Sequence, residues 1–206
     1  KMIGGAAISV KQINDETMHM LELAYENVNQ AFDQLLQFSD KTDEQIYKRE
    51  DTVNYLDKVI SEYISAALAT PNLNVNISQA LSSYYLMLVD IERISDYAVN
   101  MNHQATKRLQ GDMTISEIEI IEHMKKLCED MKNDLDDVEE AERKDDVIDS
   151  LVSSWREAQI QALKQKKCSS EVSMMLSRIF TDFERINDHA LNVSQELDKI
   201  TVEIPD

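Results

Sequence analysis

Residues 90–100 read D-I-E-R-I-S-D-Y-A-V-N, and residues 182–192 read D-F-E-R-I-N-D-H-A-L-N. Both stretches follow the pattern D-x-E-R-I-x-D-x-A-x-N, and they lie 92 residues apart. A match of this length indicates that the chain contains a duplicated unit. Each copy places a glutamate and an aspartate four residues apart, and on a helix this spacing puts both carboxylates on one face. The pairs are therefore either ligands of a metal ion or members of a salt-bridge stripe.

The composition favours long helices. The 206 residues include three glycines and two prolines, which are the residues that most often mark turns. Capping-box patterns at Thr42–Gln45 and Thr114–Glu117 mark two helix starts. Apolar residues at helical spacing predict six long helices, at about 9–39, 42–69, 78–109, 115–142, 143–166 and 171–200.

The repeat includes the helix before each motif, because residues 48–56 (K-R-E-D-T-V-N-Y-L) align with residues 143–151 (R-K-D-D-V-I-D-S-L). Each copy then holds three long helices with short connections, and such neighbours pack antiparallel. The predicted fold is all-α, with two pseudo-symmetric antiparallel three-helix bundles side by side. The first repeat spans residues 1–110 and the second spans residues 111–206.

The formal net charge of −18 excludes several classes of function. So acidic a surface repels phosphate backbones, which argues against a nucleic-acid partner, and it disfavours unaided binding to anionic lipid. No stretch approaches the roughly 20 apolar residues that cross a bilayer. The chain has no P-loop, no G-x-G-x-x-G and no G-x-S-x-G. These observations favour a protein that is not an enzyme.

Other single residues carry less information. Cys128 and Cys168 lack C-x-x-C spacing and are typical of free thiols. Trp155 is expected to pack at a bundle interface. His189 has Tyr97 as its counterpart, which excludes a histidine-dependent site shared by both copies.

The candidate functional residues are carboxylates on the second and third helices of each copy. They are Glu50, Asp51, Glu92 and Asp96 in the first copy, and Asp145, Asp146, Asp149, Glu184 and Asp188 in the second. Oxygen ligands that converge from two helices suit hard cations such as Fe(III), Mn, Mg or Ca. The alternative is a solvated face on which Arg93 and Arg185 neutralise the acids. Asn54, the counterpart of Asp149, weakens the first site.

The paired E-R-I-x-D-x-A-x-N phrases resemble the PhoU family over essentially the whole chain. The resemblance implies a cytoplasmic regulator of phosphate uptake with two three-helix bundles. In some members such acids bind clusters of iron or another metal, so Fe, Mn, Zn or Mg is expected here. The departures are Asn54, and Ser95 and Asn187, where the family usually has glycine. The resemblance carries the metal ligands to Glu92, Asp96, Glu184, Asp188, Asp51, Asp146 and Asp149.

The segment before the first motif favours a sub-type. Residues 69–78 (A-T-P-N-L-N-V-N-I-S) lack the Gln-Pro and Asp-Leu-Arg of free-standing members. They look more like the PhoU-like domain that follows the membrane part of bacterial sodium/phosphate cotransporters, as do Glu62–Ile64, Cys168–Ser169 and the opening segment 6–20. This resemblance implies a regulatory domain at the inner face of the cell membrane. Its partners would be a transporter domain, on the same chain or a separate one, and a second copy in a homodimer.

Three alternatives remain open. The first is a free-standing PhoU-like adaptor that negatively regulates phosphate transport and signalling. The second is a di-metal oxidase bundle, which needs a Glu-x-x-His motif on each of two helices, whereas the chain has one, at residues 16–19. The third is a helical scaffold without a metal.

Overall fold

The computed structural model of the chain describes residues 6–105 and 107–204, with side chains from residue 10 to 105 and from 109 to 204. Residues 1–5, 106 and 205–206 of the predicted repeats lie outside the described part. Six long helices and one single-turn helix occupy these ranges. They are α1 (Ala6–Leu36), α2 (Asp40–Leu68), α3 (Val75–Gln104), α4 (Lys107–Gln110), α5 (Ile115–Asn133), α6 (Val138–Lys164) and α7 (Ser170–Asp198).

The helices form two bundles that share a core. Helices α1, α2 and α3 pack against one another, and α7 packs against α5 and α6. The bundles meet where α3 packs against α7 and α1 packs against α5. Buried apolar residues from both bundles form one cluster. The prediction of an all-α fold with two three-helix bundles side by side is confirmed.

The start of the second helix differs from the prediction. Helix α2 begins at Asp40, and the hydroxyl of Ser39 accepts a hydrogen bond from the backbone N–H of Thr42 at 3.4 Å. Ser39 is therefore the N-cap, and the capping box expected at Thr42–Gln45 is wrong.

The third helix also begins earlier than expected, at Val75, because the side chain of Asn74 accepts from the backbone N–H of Asn76 at 2.8 Å. It ends at Gln104 rather than at residue 109.

The connection between α5 and α6, the fourth and fifth long helices, lies earlier in the chain than the sequence predicts. Helix α5 ends at Asn133 and α6 begins at Val138, whereas the sequence predicts a boundary at residue 142. No glycine or proline marks this connection. Asp137 ends it as the N-cap of α6, and its carboxylate accepts a hydrogen bond from the backbone N–H of Glu140 at 3.2 Å. The signal was hidden because Asp137 lies within a long acidic run.

The capping box at the start of α5 is confirmed. The hydroxyl of Thr114 accepts from the backbone N–H of Glu117 at 3.2 Å, and the carboxylate of Glu117 accepts from the backbone N–H of Thr114 at 2.8 Å. Glu117 is 1% exposed, and it also accepts from the Gln159 side chain at 2.5 Å. The cap therefore ties the first turn of α5 to α6.

We expect Thr114→Ala to lower the free energy of unfolding by about 1 kcal/mol, because an orphaned backbone N–H loses its acceptor. Urea denaturation of the purified protein measures this change. Thr42→Ala is the matched control, since in α2 only the backbone of Thr42 takes part in the cap. An equal loss in both variants would contradict the assignment of the two caps.

Candidate functional site

The two motifs lie on α3 and α7, the helices that join the bundles. Apolar residues at helical spacing place one face of each motif in the core. They are Ile91, Ile94 and Ala98 on α3, and Phe183, Ile186 and Ala190 on α7, each at most 1% exposed. The acidic residues follow on the flank of this buried stripe, where α3 faces α2 and α7 faces α6. The motif helices therefore present their carboxylates to the preceding helix of the same bundle.

In the second bundle, three aspartates converge. One carboxylate oxygen from each of Asp145, Asp149 and Asp188 lies within 4.8 Å of the other two. Asp145 and Asp149 are one turn apart on α6, and Asp188 faces them from α7. Asp145 is half-buried, and the other two are exposed. Three oxygen donors from two helices are a donor set that hard cations accept.

The charges of this cluster are poorly compensated. The Oδ1 atom of Asp145 is buried and has no hydrogen-bond partner among the described residues. Burial, followed by repulsion from Asp149 and Asp188, raises the pKa of Asp145 to about 6. Burial and repulsion from Asp149 also raise the pKa of Asp188. A bound cation would remove this repulsion and supply the missing partner of Oδ1.

The other two predicted ligands of the second bundle lie outside this group of three. Glu184 accepts a hydrogen bond from Arg156 Nη2 at 3.4 Å, so the arginine partly neutralises the glutamate. Asp146 is exposed and adjoins Asp145, to whose raised pKa its charge contributes. Arg156 is the arginine that pairs with Glu184, whereas the charge of Arg185 favours the ionised forms of Asp182 and Asp188.

In the first bundle the acids lie close to one another and to a serine. Glu92 on α3 and Glu50 on α2 both lie near Asp96, whose proximity helps to raise the pKa of each. Arg93 Nη1 lies 4.0 Å from Asp96 Oδ2 and offsets part of this charge. The hydroxyl of Ser95 donates to Glu50. Burial and then the contact with Asp96 raise the pKa of Glu92 to about 7. Glu92 therefore takes up a proton near neutral pH, and its neutral form relieves the repulsion from Asp96.

In the structure, Glu50 and Asp145 belong to the acidic clusters of the two bundles, and their neighbours Asp51 and Asp146 do not. Glu50 lies three residues before the buried Val53, and Asp145 lies three residues before the buried Ile148. That spacing turns both towards the motif helix. Asp51 is exposed, and no contact joins it to the other acids of the first bundle. The distance to the next buried residue was the signal that distinguishes the two positions.

We expect the Glu92→Gln variant to be less sensitive to pH than the unmodified protein. The folded-state pKa of Glu92, about 7, exceeds its ordinary value of 4.5. The stabilisation from the bound proton is therefore complete below about pH 4.5 and is lost as pH rises through about 7. Between about pH 5 and pH 8 the unmodified chain should lose about 1 kcal/mol relative to the variant, since water screens a half-exposed carboxylate.

Urea unfolding at the two pH values measures this difference. Asp51→Asn is the matched control, because it removes an exposed acid from α2, the helix that packs against α3. If Glu92→Gln and Asp51→Asn follow the same pH dependence, the uptake of a proton by Glu92 near neutral pH is disproved.

The first residue of the first motif joins the two repeats. The Oδ1 atom of Asp90 is 2.8 Å from His189 Nδ1. The side-chain amide of Asn192 donates to the same oxygen at 3.1 Å. The rings of Tyr97 and His189 stack with centroids 5.8 Å apart. His189 therefore links α7 to α3 rather than serving a site that recurs in both copies.

Two further sequence expectations can be placed. Trp155 packs on Phe180 and Phe183 of α7 and on His123 of α5, at the junction of the three helices of the second bundle. Glu16 and His19, the single Glu-x-x-His motif, are exposed on α1. Within the part of the chain that the structure describes, no helix is both long and apolar enough to span a membrane.

Comparison with known proteins identifies the family. The PhoU domain matches residues 17–105 and 118–197. The phosphate-specific transport system accessory protein PhoU homolog 1 of Thermotoga maritima is 22% identical over 197 residues, which cover 90% of this chain and 84% of the relative.

Two solved structures show the same fold. PhoU from Pseudomonas aeruginosa has a TM-score of 0.80 at 19% identity, and the match covers 92% of this chain and 95% of that one. The phosphate transport system regulatory protein PhoU from Streptococcus pneumoniae has a TM-score of 0.81 at 19% identity. That match covers 98% of this chain and 100% of the other. The family match covers both motifs and most of both bundles, and the chain belongs to the PhoU domain family.

Proposed function

We propose that this protein regulates phosphate transport as a PhoU-type accessory protein. The family match over both repeats carries the proposal. The relatives are described as an accessory protein and a regulatory protein of phosphate transport systems, and the chain matches each over most of its length. These likenesses favour the free-standing adaptor over the domain of a sodium/phosphate cotransporter.

The regulation would take place through protein contacts at the cytoplasmic face of the membrane. A regulator shifts a transporter between states only when it binds one of them more tightly. The side of the protein that contacts the transporter must therefore match one transporter conformation. A non-enzymatic role is consistent with relatives that are named as accessory and regulatory proteins.

The test is phosphate uptake by the native host with the gene deleted. If the protein restrains transport, deletion raises the initial rate of uptake of radioactive phosphate in phosphate-replete cells, and the gene on a plasmid restores the lower rate. An unchanged rate in the deletion strain, with the protein detectable in the parent strain, would overturn the proposal.

The narrower interpretation, a domain that follows the membrane part of a cotransporter, needs a separate experiment. An antibody against the purified chain, applied to native membranes and to the soluble fraction, reports the size of the natural product. A band much larger than a chain of 206 residues, found only in the membrane fraction, would support the cotransporter domain. A band of about this size in the soluble fraction would support the adaptor.

We propose as a second feature that a cation binds in the second bundle. The buried, unpartnered Oδ1 of Asp145 supports this, since it lies in a cluster that is otherwise repulsive. Asp145, Asp149 and Asp188 would hold Fe, Mn, Zn or Mg, with Glu184 at the side. A cation there would tie α6 to α7 and stiffen one bundle. The corresponding pair Glu92 and Asp96 is expected to bind a cation more weakly, because a cation must compete with the proton that Glu92 takes up near neutral pH and with Arg93 beside Asp96.

A further inference from the structure

An apolar groove of about 410 Å³ runs between α6 and α7. Three large aliphatic side chains border it and are exposed, at 54% for Ile160, 41% for Leu163 and 62% for Met174. Phe180 is 1% exposed and closes the floor. Exposed aliphatic residues gathered along one groove mark an interaction site more often than the same residues scattered singly.

The two largest polar side chains of the groove, Gln159 and Arg156, already have hydrogen-bond partners. Gln159 donates to Ser173 at 2.8 Å. Arg156 donates to the hydroxyl of Thr181 at 2.9 Å, and its guanidinium lies over the Phe180 ring, 5.5 Å from the centroid. An occupant that fills the groove therefore leaves these groups paired, and the apolar walls provide the gain on binding.

The lining of the groove differs in charge from the chain as a whole, because its one charged residue is Arg156. No residue that lines it is acidic, although the chain has 39 Asp and Glu residues. Lys164, Lys166 and Lys167 follow at the end where α6 leads into α7, and all three are exposed. None of the three lysines is in a salt bridge with a residue that the structure describes. Glu157 and Glu171 also flank the groove in sequence, and like the three lysines they do not line it, so the flanking charges comprise three lysines and two glutamates.

A second groove shows that this arrangement is not general. The groove between α1 and α2 has a similar volume of about 480 Å³ and is lined by Tyr55, Val59 and Tyr63. Its rim carries Asp15 and Glu16 and no lysine or arginine. The two grooves therefore favour occupants of opposite charge.

We infer that the α6/α7 groove binds an amphipathic helix of a partner protein, with acidic side chains beside its apolar face. A helix can seat apolar side chains between Ile160 and Met174 while its carboxylates meet the three lysines. An anionic membrane fits less well, because a flat bilayer would also face the remainder of a surface with a net charge of −18. The inference names a contact surface for the proposed regulatory role and rests on that role for its biological meaning.

The test uses a fluorescent amphipathic peptide of leucine and glutamate, about 14 residues or four helical turns long. The full chain carries ¹³C-labelled isoleucine and methionine methyl groups. We expect saturable shifts of the Ile160 and Met174 methyl signals at peptide concentrations below about 1 mM. The double variant Ile160→Ser/Met174→Ser should bind about tenfold more weakly, as expected for anchors at the centre of an interface. Replacing the three lysines by glutamine should weaken binding and reduce its salt dependence.

The controls separate this site from nonspecific binding. Val59→Ser changes a similarly exposed aliphatic residue in the α1/α2 groove and should leave peptide affinity unchanged. Equal affinity for a leucine–lysine peptide, equal loss in Val59→Ser, or no methyl shift at about 1 mM would overturn the inference. Binding of phosphatidylglycerol vesicles through Ile160 and Met174, without binding of the acidic peptide, would assign the groove to a membrane and also overturn it. These measurements need no transporter, so their failure is distinguishable from failure of the uptake experiment.

Discussion

Replacing Phe183 by alanine should lower the free energy of unfolding by about 3–5 kcal/mol, which is typical of a large cavity at a fully buried aromatic residue. Phe183 is 0% exposed. Its ring meets Phe32 of α1 edge-on at 6.5 Å and Trp155 of α6 at 6.2 Å. The cavity would therefore open where the two bundles and α6 come together. Since small domains are stable by about 5–15 kcal/mol, the loss is a large share of the total.

Urea denaturation followed by circular dichroism measures the loss. Phe183→Leu keeps most of the side-chain volume and should cost less than about 1.5 kcal/mol. Met174→Ala on the same helix removes an exposed side chain and should change stability by no more than about 0.5 kcal/mol. A cost for Phe183→Ala close to that of Met174→Ala would contradict the packing of Phe183 at the centre of the molecule.

The helices were predictable because their signals are local and repeated. Apolar spacing over long stretches fixes which face of a helix is buried, and the duplicated motif shows that the second half follows the first. The boundary between α5 and α6 was missed because a helix can end without glycine or proline. At that point the N-cap Asp137 is one acid among many, and the acidic run gives no local contrast.

The candidate site was predictable only in outline. The motif acids Glu92, Asp96 and Asp188 could be identified because the phrase is repeated. The choice between Asp145 and Asp146 depends on how α6 is rotated relative to α7. Asp145 faces α7 because it lies three residues before the buried Ile148. Whether a metal binds stays a prediction for all of the acids.

The contacts between the repeats could not be predicted from a repeated pattern. The pairs Phe32–Phe183 and Asp90–His189 join residues more than 90 positions apart. His189 and its counterpart Tyr97 differ chemically, so the internal symmetry hides rather than reveals their contact. Such pairs depend on how α3 crosses α7, and no periodicity within one helix specifies that arrangement.

We expect manganese(II) to raise the unfolding temperature of the metal-free protein and to do so only weakly in the Asp145→Asn variant. A ligand at a hundredfold excess over its dissociation constant stabilises the folded state by about 2.7 kcal/mol. Asp145 offers the buried oxygen without a partner, so its amide replacement removes the negative charge and exchanges one carboxylate oxygen for an NH2 group that cannot bind a cation. Differential scanning fluorimetry and metal analysis by mass spectrometry measure the two effects.

The same variant should behave oppositely when no metal is present. Burial, and then repulsion from Asp149 and Asp188, disfavours the charged form of Asp145, so Asp145→Asn should be more stable than the unmodified chain at about pH 8. A cation site therefore predicts that the order of stabilities reverses when the metal is added. A solvated acidic face predicts the metal-free order under both conditions.

The matched control lies in the first bundle. Glu50→Gln/Glu92→Gln changes the equivalent α2/α3 cluster, in which Ser95 donates to Glu50 and both glutamates lie near Asp96. It should keep most of the stabilisation by manganese(II). Equal stabilisation of the unmodified chain, this control and Asp145→Asn would show that the ion acts by screening the whole acidic surface. The difference between the bundles then separates a specific site from a general effect, because both carry the same motif and only one leaves a buried aspartate oxygen without a partner.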